Sequence, residues 1–312
     1  MHPAYSVILF TTSSGAGYGL LFWVSIALMA GDMSHTHWSF FFTFALAVAL
    51  ITVGLLASTF HLGHPERAWR ALSQWRSSWL SREGVAALAT YLPVGLLGFL
   101  SLLKITTGAE PFLALLCALG AVATVWCTGM IYASLRTIKE WNLTLVPVIY
   151  LALGAASGGL LMGLMTSILG GQNHWQGAAT LLALGVALVL KLVYYRHIDS
   201  DDGTYTAAQA LGMGTKGIRQ IDPPHTRPNY VMREMGYDVA RRHALRLRWL
   251  GLLCLIAVPL TLISLGILAD LPMLLPYLFA VMAAGIGLML ERWLFFAEAT
   301  HVAILYYGAP RA

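Results

Sequence analysis

Charge is what this sequence has least of. Only 11% of its 312 residues are Asp, Glu, Lys or Arg, where soluble domains carry roughly a quarter, so an ordinary water-soluble enzyme is excluded at the outset. Cysteine is nearly absent too. Cys117, Cys127 and Cys254 each sit inside an apolar run and none forms a CxxC pair, which leaves no disulfide framework and no zinc or iron–sulfur ligand set. Any redox metal must come from a partner. No apolar run has a histidine near its centre, and haem b held inside a helix bundle needs facing histidines. A pairing of His61 with His301 at one end of the bundle is the weaker exception. There is no 20–50-residue repeat and no inverted repeat of interrupted apolar segments, the usual mark of a secondary transporter. The net charge of +5 has no soluble scaffold that would present it to nucleic acid.

What is abundant is apolar sequence, 58% of the chain, with a mean hydropathy of +0.71. Eight spans of about 22 residues would take roughly 176 positions and leave roughly 136 for connections. The apolar runs predict helices at 7–30, 40–62, 84–104, 112–135, 143–168, 176–196, 249–269 and 273–293. The expected fold is thus an all-α integral membrane bundle of about eight transmembrane helices, a single membrane domain over 1–312. The first run is no cleavable signal, because Met1 to Ser6 has no Lys or Arg and the apolar stretch is too long.

The connections alternate in charge. Loops near 31–39, 105–111, 169–175 and 270–272 are short and almost free of basic residues. All but Lys104 of the 19 Lys and Arg fall on the other set, counting Lys191 to Arg248 as one basic stretch and Arg292 as the start of the last. The positive-inside rule then puts both termini and every basic loop in the cytoplasm. The one sizeable hydrophilic segment, 197–248, is a long cytoplasmic loop between spans six and seven. It reads either as a solvated tether whose Arg241, Arg242, Arg246 and Arg248 meet anionic lipid, or as a docking surface for a soluble subunit.

Ionisable residues at span ends are the candidates for chemistry, because each is costly inside a bilayer. The densest cluster is STFHLGHPERAWRALSQWRSSWLSREG, 58–84. It starts where span two reaches the cytoplasmic face and ends where span three leaves it, so His61 and Glu83 are expected at similar depth. Each also has a plain reading. His61 can be an interfacial histidine satisfied by a carbonyl, and Glu83 can sit in the first turn of a helix capped by Ser81, where the helix dipole favours a carboxylate. Arg67, Arg70, Trp69, Trp75 and Trp79 form an amphipathic interfacial stretch. In TTSSGAGYG, Thr11 to Gly19, the Gly15/Gly19 spacing lets another backbone, or a flat ligand ring, come close. In CTGMIYASLRTIKEWN, Tyr132 and Arg136 are expected one helical turn apart. Tyr132 also suits an aromatic belt. Glu291, Glu298 and His301 are expected along one face of a continuing last helix.

At HLGHPERAWRALSQWRSSWLSREG the chain resembles the membrane-anchor subunits of bacterial dimethyl sulfoxide reductases. These show His-Leu-Gly, Pro-x-Arg-Ala and Leu-Ser-x-Glu at similar spacing; here they are His61-Leu62-Gly63, Pro65-Glu66-Arg67-Ala68 and Leu80-Ser81-Arg82-Glu83. The stretch YASLRTIKEWN and the eight-span layout extend the resemblance. The 197–248 segment, with PPHTRPNYVMREMGY, and ERWLFFAEA look more like the anchor of cytoplasmic-facing sulfite dehydrogenase complexes that reduce quinone. The resemblance implies a bacterial inner-membrane anchor that exchanges electrons with ubiquinone or menaquinone, carries no haem, and holds an iron–sulfur subunit and a molybdopterin catalytic subunit, which keep the clusters and molybdenum cofactor. It implies His61 as quinone ligand, Glu83 as a polar group on the quinone and proton path, and Arg67 as a neighbouring residue that shapes the site. Tyr132 is added from its depth. Arg241, Arg242, Tyr230 and Glu298 are the expected docking residues for the iron–sulfur partner. Electron flow from sulfite to quinone, or from quinol to dimethyl sulfoxide, both remain open on these residues, as does a transporter.

Overall fold

The computed structural model describes residues 4–60, 64–170, 174–200, 205–213, 218, 221–222 and 239–307. Hydrocarbon offers no partner to backbone N–H and C=O groups, so an apolar run of this length closes its hydrogen bonds within itself as a helix. Among the described residues, eight helical spans are long and apolar enough to cross a membrane. They are α1 (Tyr5–Met29), α2 (Trp38–Thr59), α3 (Trp79–Leu103), α4 (Glu110–Ala133), α5 (Leu145–Leu169), α6 (His174–Asp199), then α7 (Val239–Leu252) running on into α8 (Val258–Leu268), and α9 (Leu274–Ala297). No strand is present among the described residues. A π-helical turn, Leu253–Ala257, joins α7 to α8. Pro259 follows it; a proline has no N–H to give the carbonyl four residues back and its ring presses on that carbonyl.

The helices begin earlier or run later than the apolar windows suggest. α3 starts at Trp79 and α9 continues to Ala297, because a polar residue ends a hydropathy window without ending a hydrogen-bond ladder. Two expectations fail for the opposite reason. α4 stops at Ala133, so Arg136 lies in an exposed turn and is not one helical turn from Tyr132. α9 stops at Ala297 with Glu298 as its cap, and His301 pairs with Ile138 in an isolated bridge, so Glu291, Glu298 and His301 do not share a helix face.

α1 and α5 form the centre, and α1 also packs on α2 and α4. Between apolar helices in lipid there is little hydrophobic drive to associate, so close backbone approach at small residues carries the packing. A Cβ built on Gly19 would lie 1.8 Å from Gly154 O, and one on Gly158 would lie 2.1 Å from the Gly19 carbonyl carbon. The glycines of TTSSGAGYG thus serve helix crossing. Leu92, Phe99, Leu119, Leu182 and Phe279 point outward, as a lipid-facing surface requires.

One end of the bundle is knitted across its connections. The Trp141 indole donates to Phe295 O (2.8 Å), Val302 N–H donates to Thr137 O (3.1 Å), and the Tyr306 hydroxyl donates to Ala210 O (3.1 Å). The opposite end is closed by Glu110, whose carboxylate accepts the Thr107 and Gly108 N–H groups at 2.6 and 2.9 Å.

Candidate functional site

The stretch after α2 returns as a 3-10 helix, Pro65–Gln74, lying against the start of α3. Ser81 Oγ donates to Ala71 O (2.5 Å), which ties the two together. The cap of α3 is therefore Ser78, whose Oγ accepts from Ser81 N–H (3.4 Å). This overturns the expected Ser81 cap. Glu83 is one turn deeper than a first-turn carboxylate and cannot serve the helix end.

Instead Glu83 is 5% exposed and faces α4. The Thr128 hydroxyl donates to its Oε1. α3 and α4 run antiparallel and tight, with Gly120 against Thr90, so the early turns of α3 meet the late turns of α4. Tyr132, one turn beyond Thr128, is also buried and lies within electrostatic range of Glu83. Its ring stacks on Tyr150 at 5.8 Å and meets Trp141, Phe295 and Phe296 edge-on. The structure thus brings Glu83 and Tyr132 together. It does not bring Arg67 to them: that side chain is 59% exposed on the 3-10 helix, 3.7 Å from Glu66. His61 and Tyr230 lie outside the described residues. Arg241 and Arg242 fall in the first turn of α7, and their side chains lie outside the described ones.

Glu298 is not a free docking group. Arg248 Nη2 binds its carboxylate at 2.7 Å and Arg248 Nη1 binds Asp199 at 2.8 Å. That also corrects the expectation that Arg248 faces lipid headgroups. His301 Nδ1 accepts from Ala303 N–H (3.0 Å), and partial burial pushes its pKa down.

A second polar cluster had no counterpart in the sequence reading. Lys191 and Arg292, counted with the basic connections although they stand near the ends of the expected spans 176–196 and 273–293, are buried inside the bundle on either side of Glu291, all three 2% exposed. Lys191 Nζ donates to Glu291 Oε1 (2.7 Å), and Arg292 donates through Nη2 to the same oxygen (2.7 Å) and through Nε to Oε2 (2.5 Å). The Lys191 ammonium lies 4.4 Å from the ring centroids of both Tyr194 and Tyr195, and the Arg292 guanidinium 4.1 Å from that of Tyr150. Because Tyr150 also stacks on Tyr132, a polar and aromatic column runs from Glu83 to Lys191.

Also missed were Thr128 and Tyr18. Thr124 and Thr128, four apart in an otherwise apolar run, were the available signal for the former. Among the described residues no three His, Cys, Asp or Glu side chains gather as a metal site would require. Chemically, the cluster offers one buried carboxyl with a single hydroxyl partner, beside phenols, at a depth where an ionisable group is a functional hypothesis by default.

The family described as "DMSO reductase anchor subunit (DmsC)" matches residues 1–298. The chain is 34% identical to the C subunit of the sulfite dehydrogenase of Allochromatium vinosum over 331 aligned residues, spanning 98% of this sequence and 99% of that protein. It is 28% identical to the C polypeptide of the anaerobic dimethyl sulfoxide reductase of Escherichia coli K12 over 168 residues, 52% of this sequence and 58% of that one.

Proposed function

The chain belongs to the DMSO reductase anchor subunit family, and from that premise we propose that it is the quinone-exchanging membrane anchor of a molybdenum and iron–sulfur oxidoreductase, passing electrons from sulfite to the quinone pool. The observation that carries the reading is Glu83, a carboxyl buried between α3 and α4 with Thr128 as its hydrogen-bond partner. Reducing a quinone takes two electrons and two protons. The electrons come from the iron–sulfur partner, and the molybdopterin subunit beyond it draws them from its substrate. This chain supplies a pocket at one membrane face, a group that moves protons and a route to lipid. Glu83 hands on protons, His61 holds a quinone carbonyl and gives it a proton, Tyr132 walls the pocket, and Arg67, exposed on the 3-10 helix, stays at the interface outside it.

Sulfite is favoured over dimethyl sulfoxide as the source or sink of electrons because the similarity to a sulfite dehydrogenase subunit runs the length of both proteins, while the reductase relative matches about half. The crowding of basic residues on one set of connections supports a bacterial inner-membrane protein with those loops and both termini in the cytoplasm. The knitted end and the 197–248 segment, with Arg241, Arg242 and Tyr230, make the platform for the iron–sulfur subunit. Glu298 contributes to it by fixing Arg248.

His61→Ala and Glu83→Gln in the assembled complex test the reading. Quinone-linked turnover should fall at least tenfold in each, while the partner subunits, still membrane-bound, turn over with an artificial acceptor. Near-normal quinone turnover in both variants would overturn it. Since electrons and protons are handled at one face, proteoliposomes should develop no membrane potential during turnover. A visible spectrum of the purified protein tests for haem, and deletion of 200–225 should release the iron–sulfur subunit from membranes.

A further inference from the structure

Tyr18 stands midway along α1, 2% exposed, and its hydroxyl completes no well-formed hydrogen bond among the described residues. A buried donor left unsatisfied is costly, so a hydroxyl retained at this place asks what it serves. The polar side chains around it have given their own protons elsewhere, although the Thr124 oxygen can still accept. Thr124, which faces it from α4, gives its proton to Gly120 O (2.8 Å), and Tyr91 shares a hydrogen bond with Thr52 (2.7 Å). Glu83 is close enough to act on it electrostatically.

The same tyrosine lines a recess between α1, α4 and α5, with Gly19, Phe22, Ala121, Val125 and Gly154 among its walls and a volume of about 170 Å3. An apolar cavity of about 150 Å3 accepts a benzene ring. Val122, on the rim, is 39% exposed on the outer surface, so the recess opens sideways, toward lipid. Its volume suits a single ring, and its one polar wall offers a single donor.

We propose that this recess admits the quinone ring laterally from the bilayer and that the Tyr18 hydroxyl donates a hydrogen bond to one ring carbonyl. Tyr18 is then a positioning residue. It keeps its proton throughout, and the protons of the reduction travel by way of Glu83. The inference rests on the quinone reading above and adds to it where the ring enters and what orients it.

The test uses the whole complex in membranes, with Tyr18→Phe and Ala155→Trp, the second narrowing the recess from α5. Rates are taken over a range of a short-chain quinone and normalised to assembled complex, and a photoreactive azidoquinone maps the site. Tyr18→Phe should raise KM about tenfold, equivalent to about 1.4 kcal/mol, with a smaller change in kcat. Label should fall on the α1 peptide that carries Tyr18, be displaced by excess quinone, and be lost in Ala155→Trp. An unchanged KM in both variants with quinone turnover intact, or label confined to helices other than α1, α4 and α5, overturns the recess and leaves the anchor function standing. Absence of quinone turnover in the wild-type complex overturns both. Label that excess quinone does not displace marks a lipid acyl chain as the occupant and also overturns the proposal.

Discussion

The cluster of Lys191, Glu291 and Arg292 yields a sharp prediction because its charges do not cancel. Two cations share one carboxylate, all three 2% exposed, so the three groups in contact carry one surplus positive charge. Glu291→Gln removes the anion they share, leaving two buried cations side by side. Removing one partner of a buried ion pair costs about 3–5 kcal/mol. Lys191→Met works the other way: it removes the surplus charge and leaves the two-point Arg292–Glu291 contact whole. What is lost is the 2.7 Å contact with Glu291 and the ammonium's attraction to the Tyr194 and Tyr195 rings, about 2 kcal/mol for a desolvated site; what is relieved is the burial of an ammonium, several kcal/mol. The net change should stay within about 2 kcal/mol, of either sign. The double variant keeps one lone cation and should be less destabilised than Glu291→Gln alone, a coupling that distant sites would not show. Equilibrium unfolding of the purified protein in mixed micelles, followed by tryptophan fluorescence, reads all three. The reasoning fails if Lys191→Met is as damaging as Glu291→Gln, or if Glu291→Gln costs less than about 1 kcal/mol.

Three further outcomes are expected. Gly158→Ala would place a methyl against backbone atoms of Gly19 and Leu20, forcing α1 and α5 apart at a cost of at least about 1–3 kcal/mol, whereas Gly15→Ala, with nothing within 4 Å of its added carbon, should leave detergent stability unchanged. Thr128→Val removes the hydroxyl that Glu83 accepts from and should lower quinone turnover about two- to tenfold without loss of assembled complex; unchanged turnover would separate this hydrogen bond from the chemistry. The His301 pKa is lowered in the folded protein, so its neutral form favours the closed arrangement at Ile138. That contribution is present above the free-histidine value of about 6.5 and is lost as pH falls below it. Hydrogen exchange at Val302 N–H, corrected for its intrinsic rate, should speed up over that fall, and a flat response would argue against it.

The helices were legible because the hydrocarbon thickness sets a minimum apolar length, and eight runs exceed it. Their ends were not, because Ser78 and Ser81 are both able caps and only the contact of Ser81 with Ala71 decides between them. Glu83 could be singled out as an ionisable residue beside a span, yet its depth followed from that cap. The buried triad was hidden for another reason. Lys191 adjoins a basic stretch and Glu291 stands 100 positions away, so charge counting grouped both Lys191 and Arg292 with the basic connections, and only packing of α6 on the later helices reveals that they are inside. Tyr18 lay unseen among glycines that explain themselves by helix crossing.

The Arg248 clamp has a consequence for how such proteins diverge. One guanidinium holds Asp199 and Glu298 together, so the two ends of a segment whose anchors are 49 positions apart in sequence meet at a single point. The entropy of closing a loop rises only with the logarithm of its length, about 0.6 kcal/mol for each doubling. Residues can therefore be inserted or deleted between these anchors with little strain on the bundle. A lineage can remodel this insert to suit a new soluble partner while the helices, and the carboxyl between α3 and α4, stay as they are.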